Sequence, residues 1–292
     1  MQGKIIRGIA GFYYVNVPEL GVIECKAKGA LRNQKVKPLV GDNVKLEILN
    51  EEEKLGNIIE ICSRTNQLIR PAVANVDQAV VIFAASFPKP NLNLLDRFWL
   101  MMEMQDIPTI VCFNKTDDTE REELEELAGH YSGIGSKVCL TSTVSGEGIE
   151  ELRACLLGKT SVFAGPSGVG KSSVMNTLFP EAKMETGEIS AKIKRGKHTT
   201  RHSELFYLGQ NTYVMDTPGF TSLSLPDLEK EQIKEYYPEF SDYREECRFL
   251  GCVHISEPDC RVKQALDDGE ISPVRYENYK QFFEEINSRK KY

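Results

Sequence analysis

Four short polar segments, and their order along the chain, constrain the fold more than any other feature of this sequence. Residues 114–117 (NKTD) come first, followed by residues 141–143 (TST), residues 165–172 (GPSGVGKS) and residues 216–219 (DTPG). Each segment follows an apolar run typical of a buried strand. Because parallel sheets bind ligands at the carboxyl ends of their strands, the four segments predict one binding site at one edge of a parallel α/β sheet.

The third segment has the pattern of a phosphate-binding loop. Its glycines, Gly165, Gly168 and Gly170, allow backbone N–H groups to turn toward phosphates, and the following helix presents its positive amino end. We predict that Lys171 reaches the β- and γ-phosphate oxygens and that Ser172 ligates Mg²⁺. The other loop residues expected to line the phosphates are Pro166, Ser167, Val169 and Ser173.

The first segment indicates which base is bound. Asp117 can accept hydrogen bonds from the N1–H and N2 amine of guanine, whereas adenine offers no matching donors. A site built on such polar matching can reject the wrong ligand by roughly 10⁴. We expect Asn114 to contact the far edge of the base and Lys115 to pack over the ring. The loop at Ser142 is expected to offer a backbone N–H to the guanine oxygen, so the sequence predicts GTP rather than ATP.

Two further segments are expected to complete the site around the γ-phosphate. Asp216 would hold the Mg²⁺ shell through water, and the Gly219 N–H would bond the γ-phosphate. Residues 195–200 (RGKHTT) lie where a GTPase keeps the mobile segment whose threonine ligates Mg²⁺ only with GTP. Spacing alone leaves Thr199 and Thr200 both open for this role.

Water activation is the least determined part of the predicted chemistry. Phe220 occupies the position after Gly219, where many GTPases carry a water-orienting glutamine. An apolar side chain cannot orient water, so we expect slow intrinsic turnover unless another group substitutes. His198 is the nearest titratable side chain that could do so, and a partner could also supply the group.

The order of the segments indicates a circular permutation. Most GTPases place the phosphate loop first and the base-reading segment late. If the two ends of this chain were joined, the four segments would follow one another in that same cyclic order. The ends of the chain lie between the segments at residues 216–219 and 114–117. The residues after 216–219 then lead directly into a carboxyl-terminal domain, so we expect GTP and GDP to favour different arrangements of that domain.

A cysteine cluster near the carboxyl end predicts a metal site. Three of the eight cysteines fall within residues 247–260, in the pattern C-x4-C-x-H-x5-C. Three thiolates and one imidazole suit tetrahedral Zn²⁺, and a full set of protein ligands leaves no open position for catalysis. We predict a structural zinc site formed by Cys247, Cys252, His254 and Cys260.

The patterning predicts three domains. Residues 1–63 contain short β-prone runs broken by turn signals, which favour a five-stranded barrel, an OB-fold ahead of an SH3-like barrel. Residues 64–222 alternate apolar strands with helices, which predicts a mostly parallel P-loop domain. Residues 223–292 are charged, aromatic and helical and contain the cysteine cluster.

Composition and charge restrict the partners. The chain is 41% hydrophobic and 27% charged, as in soluble globular proteins. No apolar run approaches the roughly 18 residues that cross a bilayer, and the first residues lack the pattern of a secretion signal, so we expect a monomeric cytoplasmic protein without membrane contact. A net charge of -7 argues against a protein that coats nucleic acid, but two basic clusters suggest an RNA-rich partner: Lys26, Lys28, Arg32, Lys35 and Lys37, and Lys192, Lys194, Arg195, Lys197 and Arg201.

Together these features resemble the RsgA (YjeQ/YloQ) family of circularly permuted GTPases over nearly the whole chain. The resemblance implies binding to the small ribosomal subunit and its rRNA late in assembly, with GTP hydrolysis stimulated by the subunit. It also assigns the switch threonine to Thr200, as a Mg²⁺ ligand, and suggests His198 as the catalytic residue that compensates for Phe220. The zinc ligands and the base-reading residues carry over as numbered above.

Two other functions remain compatible with parts of the pattern. Phe220 leaves open a GTP-regulated RNA-binding module with negligible hydrolysis. The phosphate loop alone would also fit a kinase of small metabolites, although NKTD and the absence of a recognisable lid argue against it.

Overall fold

The amino-terminal residues form a closed five-stranded barrel. The computed structural model describes residues 1–28, 36–69, 71–180, 204–217 and 222–289. The barrel strands follow the order β1-β2-β3-β5-β4, in which β3 and β5 are parallel. This OB-like closure confirms the predicted barrel. Its strands are β1 (Gln2–Ile9), β2 (Phe12–Val17), β3 (Gly21–Ala27), β4 (Asn43–Asn50) and β5 (Leu55–Ile61).

Alternating apolar residues close the barrel around its own core. Ile5, Val15, Ile23, Val44 and Ile58 are fully buried and pack together, each from a different strand. Side chains alternate between the two faces of a strand, so one face of each strand fills the barrel while the other meets solvent. A short two-stranded ribbon follows, made of β6 (Gln67–Leu68) and β7 (Val73–Ala74).

A six-stranded sheet carries the four polar segments. Its strands lie in the order β10-β9-β8-β11-β13-β12. The β9/β10 and β11/β13 pairs are parallel, and β12 is antiparallel to β13, which confirms a mostly parallel sheet. The strands are β8 (Gln78–Ala84), β9 (Thr109–Asn114), β10 (Lys137–Thr141), β11 (Thr160–Ala164), β12 (Leu205–Tyr207) and β13 (Tyr213–Asp216).

The central strands are continuous apolar runs because they are covered on both faces. Every residue of β8, β9 and β11 is buried. The helices connecting these strands are α1 (Leu92–Glu103), α2 (Arg121–Ser132), α3 (Ile149–Leu156) and α4 (Lys171–Leu178). The α1 helix begins after Asn91, whose side chain accepts the Leu94 N–H.

The carboxyl-terminal region is helical, as predicted, and has an aromatic core. Tyr237, Phe240, Tyr279 and Phe282 are almost fully buried in one cluster that also includes Cys252. The rings of Phe240 and Tyr279 meet edge to face, an arrangement that aromatic pairs favour. The elements are 3₁₀ turns at Lys230–Tyr236 and Pro238–Phe240, then α5 (Ser241–Arg244), α6 (Arg261–Asp267) and α7 (Pro273–Ser288).

The chain divides into two compact units. The first comprises Met1–Val80, Ile149–Ala164 and Lys171–Pro218, and the second comprises Val81–Gly148, Gly165–Gly170 and Gly219–Tyr292. The predicted domains at residues 1–63, 64–222 and 223–292 stay a prediction. Within the described ranges, none of the helices combines the length and the apolar character that a membrane span requires.

Candidate functional site

Asn114 joins the base-reading segment to the phosphate loop. It is the last residue of β9 and is only 1% exposed. Its Nδ2 donates to the Val169 carbonyl oxygen at 2.9 Å, and its Oδ1 accepts the Thr141 hydroxyl at 3.2 Å. The polar segments at residues 114–117, 141–143 and 165–172 therefore meet at one side chain.

Lys115 makes a second connection to the phosphate loop. Its backbone is left-handed, with φ of 65°. Its ammonium donates to the Gly168 carbonyl oxygen at 2.8 Å and to the Phe87 carbonyl oxygen at 2.6 Å. The contact with Phe87 could not be predicted from the sequence, because no local pattern pairs a backbone carbonyl with a lysine 28 residues away.

Ser142 contacts the carboxylate of Asp117, the residue predicted to read the base, through its hydroxyl. The buried Ser142 Oγ donates to Asp117 Oδ1 and accepts the N–H groups of Val144 at 3.1 Å and Ser145 at 3.0 Å. The Ser142 N–H itself donates to the Glu147 carbonyl oxygen. Here the residue orients the exposed Asp117 carboxylate, and the predicted N–H contact to the base remains a prediction.

Two glycines of the phosphate loop lie where no side chain fits. Gly165 has φ of 148°, and a Cβ there would collide with the Ile82 carbonyl oxygen. Gly170 has φ of 95°, and its Cβ would collide with Asn114 Nδ2. The glycine pattern thus has a steric cause as well as a conformational one.

Lys171 and Asp216 belong to the first compact unit, and each shifts the pKa of the other. Lys171 is 9% exposed, and its burial lowers the pKa of its ammonium while Asp216 opposes that change. Burial raises the pKa of the Asp216 carboxyl, and Lys171 opposes it. Among the described residues, Asp216 Oδ1 is buried without a hydrogen-bond partner. That oxygen can accept a hydrogen bond from a metal-bound water.

The other predicted phosphate-loop residues are more accessible. Ser172 and Ser173 lie in the first turn of α4, half-buried and exposed respectively. Pro166 is half-buried and Ser167 is exposed. The predicted residues His198, Thr200 and Gly219 lie outside the described residues, as do Thr199, Phe220 and the second basic cluster.

The four predicted metal ligands lie together. Their ligand atoms are all within 4.8 Å of one another. Cys247 Sγ and Cys260 Sγ are 3.9 Å apart, and His254 Nδ1 lies 3.6 Å and 3.4 Å from these two sulfurs. A tetrahedral zinc with ordinary bond lengths separates two sulfurs by about 3.8 Å and a sulfur from a nitrogen by about 3.6 Å. The separations among Cys247, His254 and Cys260 therefore fit zinc in geometry, and the four-residue donor set fits it in chemistry.

Burial disfavours the charged forms of the side chains in the cluster. Burial lowers the pKa of His254 to about 4, so the imidazole is in the neutral form that binds metals. Burial raises the pKa of the Cys252 thiol to about 12. A metal ion would displace that proton, because the thiolate is the ligand form of cysteine.

The amino-terminal basic cluster is only partly described. Lys28 pairs with Glu47 at 2.5 Å, and the Lys26 ammonium lies 4.9 Å from the centre of the Phe12 ring. Lys37 is exposed, whereas Arg32 and Lys35 lie outside the described residues. Lys26 and Phe12 thus form a cation–π contact between β3 and β2 of the barrel.

Two protein families match the chain. The family described as RsgA GTPase matches residues 61–226. The family described as RsgA N-terminal domain matches residues 2–58.

Relatives and solved structures match over almost the whole length. A "Small ribosomal subunit biogenesis GTPase RsgA" from Agathobacter rectalis is 54% identical, with 100% of both chains covered. A protein of the same name from Alkaliphilus metalliredigens is 48% identical over 100% of this chain and 99% of its own. The structure of YloQ, described as a circularly permuted GTPase, aligns with a TM-score of 0.81 and 39% identity over 100% of this chain and 96% of its own. YjeQ from Thermotoga maritima aligns with a TM-score of 0.83 and 36% identity over 99% of each chain.

Proposed function

Because this chain belongs to the RsgA GTPase family, we propose that it binds the small ribosomal subunit and assists its late maturation. It hydrolyses GTP to GDP and phosphate, and the subunit stimulates this reaction. The partners are therefore GTP, GDP and the small subunit with its rRNA. We further propose that the protein acts as a monomer in the cytoplasm.

One observation carries this proposal: the base-reading segment is hydrogen-bonded to the phosphate loop. Asn114 Nδ2 bonds the Val169 carbonyl and Lys115 Nζ bonds the Gly168 carbonyl, although these partners are more than 50 residues apart in the chain. A segment that recognises guanine and a loop that cradles phosphates are useful to each other only when one nucleotide reaches both. Their contact supports a single guanine-nucleotide site.

The chain's own residues would divide the work of binding. Asp117, oriented by the Ser142 hydroxyl, would accept the N1–H and N2 amine of guanine. The loop N–H groups and Lys171 would hold the phosphates, with an N–H from Gly219 at the γ-phosphate. Mg²⁺ would neutralise charge between the β- and γ-phosphates. Its ligands would be Ser172 and Thr200, and Asp216 would accept a hydrogen bond from its water shell.

Hydrolysis requires a group that orients the attacking water, and we assign this role to His198. Replacing His198 by Ala should lower the subunit-stimulated rate about 100-fold, because positioned acid–base groups contribute at least that much. Phosphate release with and without purified small subunits measures the effect. His202→Ala is the matched control, since it removes a neighbouring histidine of the same segment.

The same assay tests the function itself. Stimulation of the unaltered chain by the subunit is the expected result. Subunit binding without any phosphate release would contradict it and favour the GTP-regulated RNA-binding module. We propose that GTP favours an arrangement of the carboxyl-terminal region that binds the subunit and that GDP favours one that releases it. Equal subunit affinity with GDP and with a non-hydrolysable GTP analogue would contradict this.

We also propose that Cys247, Cys252, His254 and Cys260 bind one structural zinc ion. Apparent binding free energies of structural zinc are about 10–16 kcal/mol, so the metal is expected to stabilise the surrounding helices strongly. Cys252→Ser should lower the zinc content from one ion per chain to nearly none and expose residues 222–289 to proteolysis. Elemental analysis and limited proteolysis measure both effects.

Cys155→Ser is the matched control for the zinc site, because Cys155 is a half-buried cysteine of another helix. It should leave the zinc content and the digestion pattern unchanged. The proposal would fail if the unaltered chain were purified without metal from zinc-containing medium, or if Cys252→Ser retained a full equivalent of zinc.

A further inference from the structure

The barrel holds the first residue of β13, the strand that ends at Asp216. Asn16, on β2, is 4% exposed, and its Nδ2 donates to the Tyr213 hydroxyl at 2.9 Å. Tyr213 is itself 4% exposed and begins β13. A buried side-chain bond of this kind fixes the position of the strand, because breaking it leaves polar groups without partners.

The barrel also reaches the other end of β13 through β12. Arg7 of β1 forms an isolated antiparallel bridge with Glu204, the residue before β12. The next residue, Leu205, pairs with Met215, which directly precedes Asp216. A continuous path of strand pairing therefore runs from the barrel to the neighbour of the buried carboxylate.

Side chains reinforce the bridge. Arg7 Nη1 lies 3.4 Å from Glu204 Oε1, and the Arg7 guanidinium lies 4.1 Å from the centre of the Tyr14 ring. The ring holds the guanidinium in place, which favours the ion pair. Lys4 makes a further contact from the barrel to the sheet: its ammonium donates to the hydroxyl of Thr160, the first residue of β11, at 3.1 Å. All these residues belong to the compact unit that also contains Lys171 and Asp216.

We infer that Arg7 and Glu204 are positioning residues through which docking of the small subunit on the barrel is transmitted to β13 and Asp216. The inference rests on the proposed function, since it concerns stimulation by the subunit. Neither residue is among those proposed to bind the nucleotide. A shift of β1 would move Glu204, and the β12/β13 pairing would carry the shift to Met215 and Asp216. Asp216 is the residue proposed to accept a hydrogen bond from Mg²⁺-bound water.

The ion pair is suited to a test because its loss should change the local strand contact while costing little overall stability. The side chains of Arg7 and Glu204 are 35% and 39% exposed, so their pairing contributes little to stability. Arg7→Glu would place two carboxylates opposite each other at the bridge and separate β1 from β12. The double variant Arg7→Glu/Glu204→Arg restores opposite charges at the same place.

The experiment measures GTP hydrolysis without subunits and with saturating small subunits. Arg7→Glu and Glu204→Arg should each lower the stimulated rate about 3- to 30-fold, the range of coupling changes seen for residues between two sites. The rate without subunits and the affinity for GDP should stay unchanged. The double variant should regain most of the stimulation. Loss of a merely structural contact would instead lower the rate without subunits as well.

Lys45→Glu is the matched control. Lys45 and Glu60 form a cross-strand ion pair at 2.9 Å in the same barrel, with 44% and 52% exposed side chains, and neither residue belongs to the bridge to β12. This variant should keep full stimulation at saturating subunit. Saturation removes any difference in subunit affinity from the comparison of the rates.

The outcomes separate this inference from the proposed function. An unaltered chain that subunits do not stimulate would overturn both. A stimulated unaltered chain, together with single variants that are stimulated equally well, would overturn the inference alone. Single variants that lose stimulation without recovery in the double variant would also overturn it, because the effect would then not depend on the pairing of Arg7 with Glu204.

Discussion

Asp117→Asn is expected to lower the affinity for GTP and GDP about 10⁴-fold while raising the affinity for xanthosine nucleotides. The carboxylate accepts two hydrogen bonds from guanine, whereas an amide in its place would put an N–H donor opposite one of the two guanine donors. Sites that match a ligand by buried hydrogen bonds lose 10⁴–10⁵ when a partner is missing. Xanthine carries an oxygen in place of the guanine amine, so the Asn side chain can donate to it.

Titration with fluorescent GDP and xanthosine diphosphate analogues measures this change. Asp118→Asn is the matched control, since Asp118 is an exposed neighbour in the same 3₁₀ turn with no predicted contact to the base. Ser142→Ala should give a smaller loss, at least about tenfold, because it removes the hydroxyl that orients Asp117. Unchanged GDP binding by Asp117→Asn would contradict the assignment of the base-reading site.

Arg275→Met is expected to lower the free energy of unfolding by about 3–5 kcal/mol, the usual cost of removing one partner from a buried ion pair. Arg275 is fully buried and donates to Asp96 at 2.9 Å and to Glu239 at 2.6 Å. Its guanidinium also lies 4.5 Å from the centre of the Trp99 ring. Methionine fills much of the volume but leaves two carboxylates without their cation.

The loss of stability should depend on pH in a defined direction. Burial raises the pKa of the Asp96 carboxyl, and Arg275 is the strongest opposing influence. Without Arg275 the pKa rises further, so the folded state binds more protons than the unfolded state, and stability increases as the pH falls through that pKa. The loss of unfolding free energy caused by Arg275→Met should therefore be largest at pH 8 and smaller at pH 5.

Chemical denaturation followed by circular dichroism at both pH values measures the deficit. Lys280→Met is the control on the same helix, because Lys280 pairs with Glu277 at the surface and such pairs contribute about 0–1 kcal/mol. A deficit for Arg275→Met that grows on acidification would contradict the explanation by buried carboxylates. An unchanged midpoint at pH 8 would contradict the predicted role of the network altogether.

Local patterns predicted the elements of the sheet well. The apolar runs predicted to lead into the four polar segments are the strands β9, β10, β11 and β13. Side-chain periodicity and turn residues act over a few positions, so they are legible in the sequence. The metal cluster was predictable for the same reason, because its four ligands fall within 14 residues.

The contacts that join distant segments were not predictable. Arg275 and Asp96 are 179 residues apart, and nothing near either residue indicates the other. The same holds for Arg7 and Glu204, and for the contact between Lys115 and the Phe87 carbonyl. Each depends on how complete elements pack, and packing involves many side chains at once.

The sequence by itself determined which chemical groups are present, which strands they follow and in what cyclic order, because backbone geometry and side-chain chemistry are local properties. Only the tertiary structure decided which of these groups lie in contact with one another. It directs the Ser142 hydroxyl to Asp117, leaves Asp216 Oδ1 without a partner among the described residues, and buries Arg275 between two carboxylates. A buried polar group takes its partner from whatever segment the fold brings within about 3 Å, and that distance bears no relation to separation along the chain.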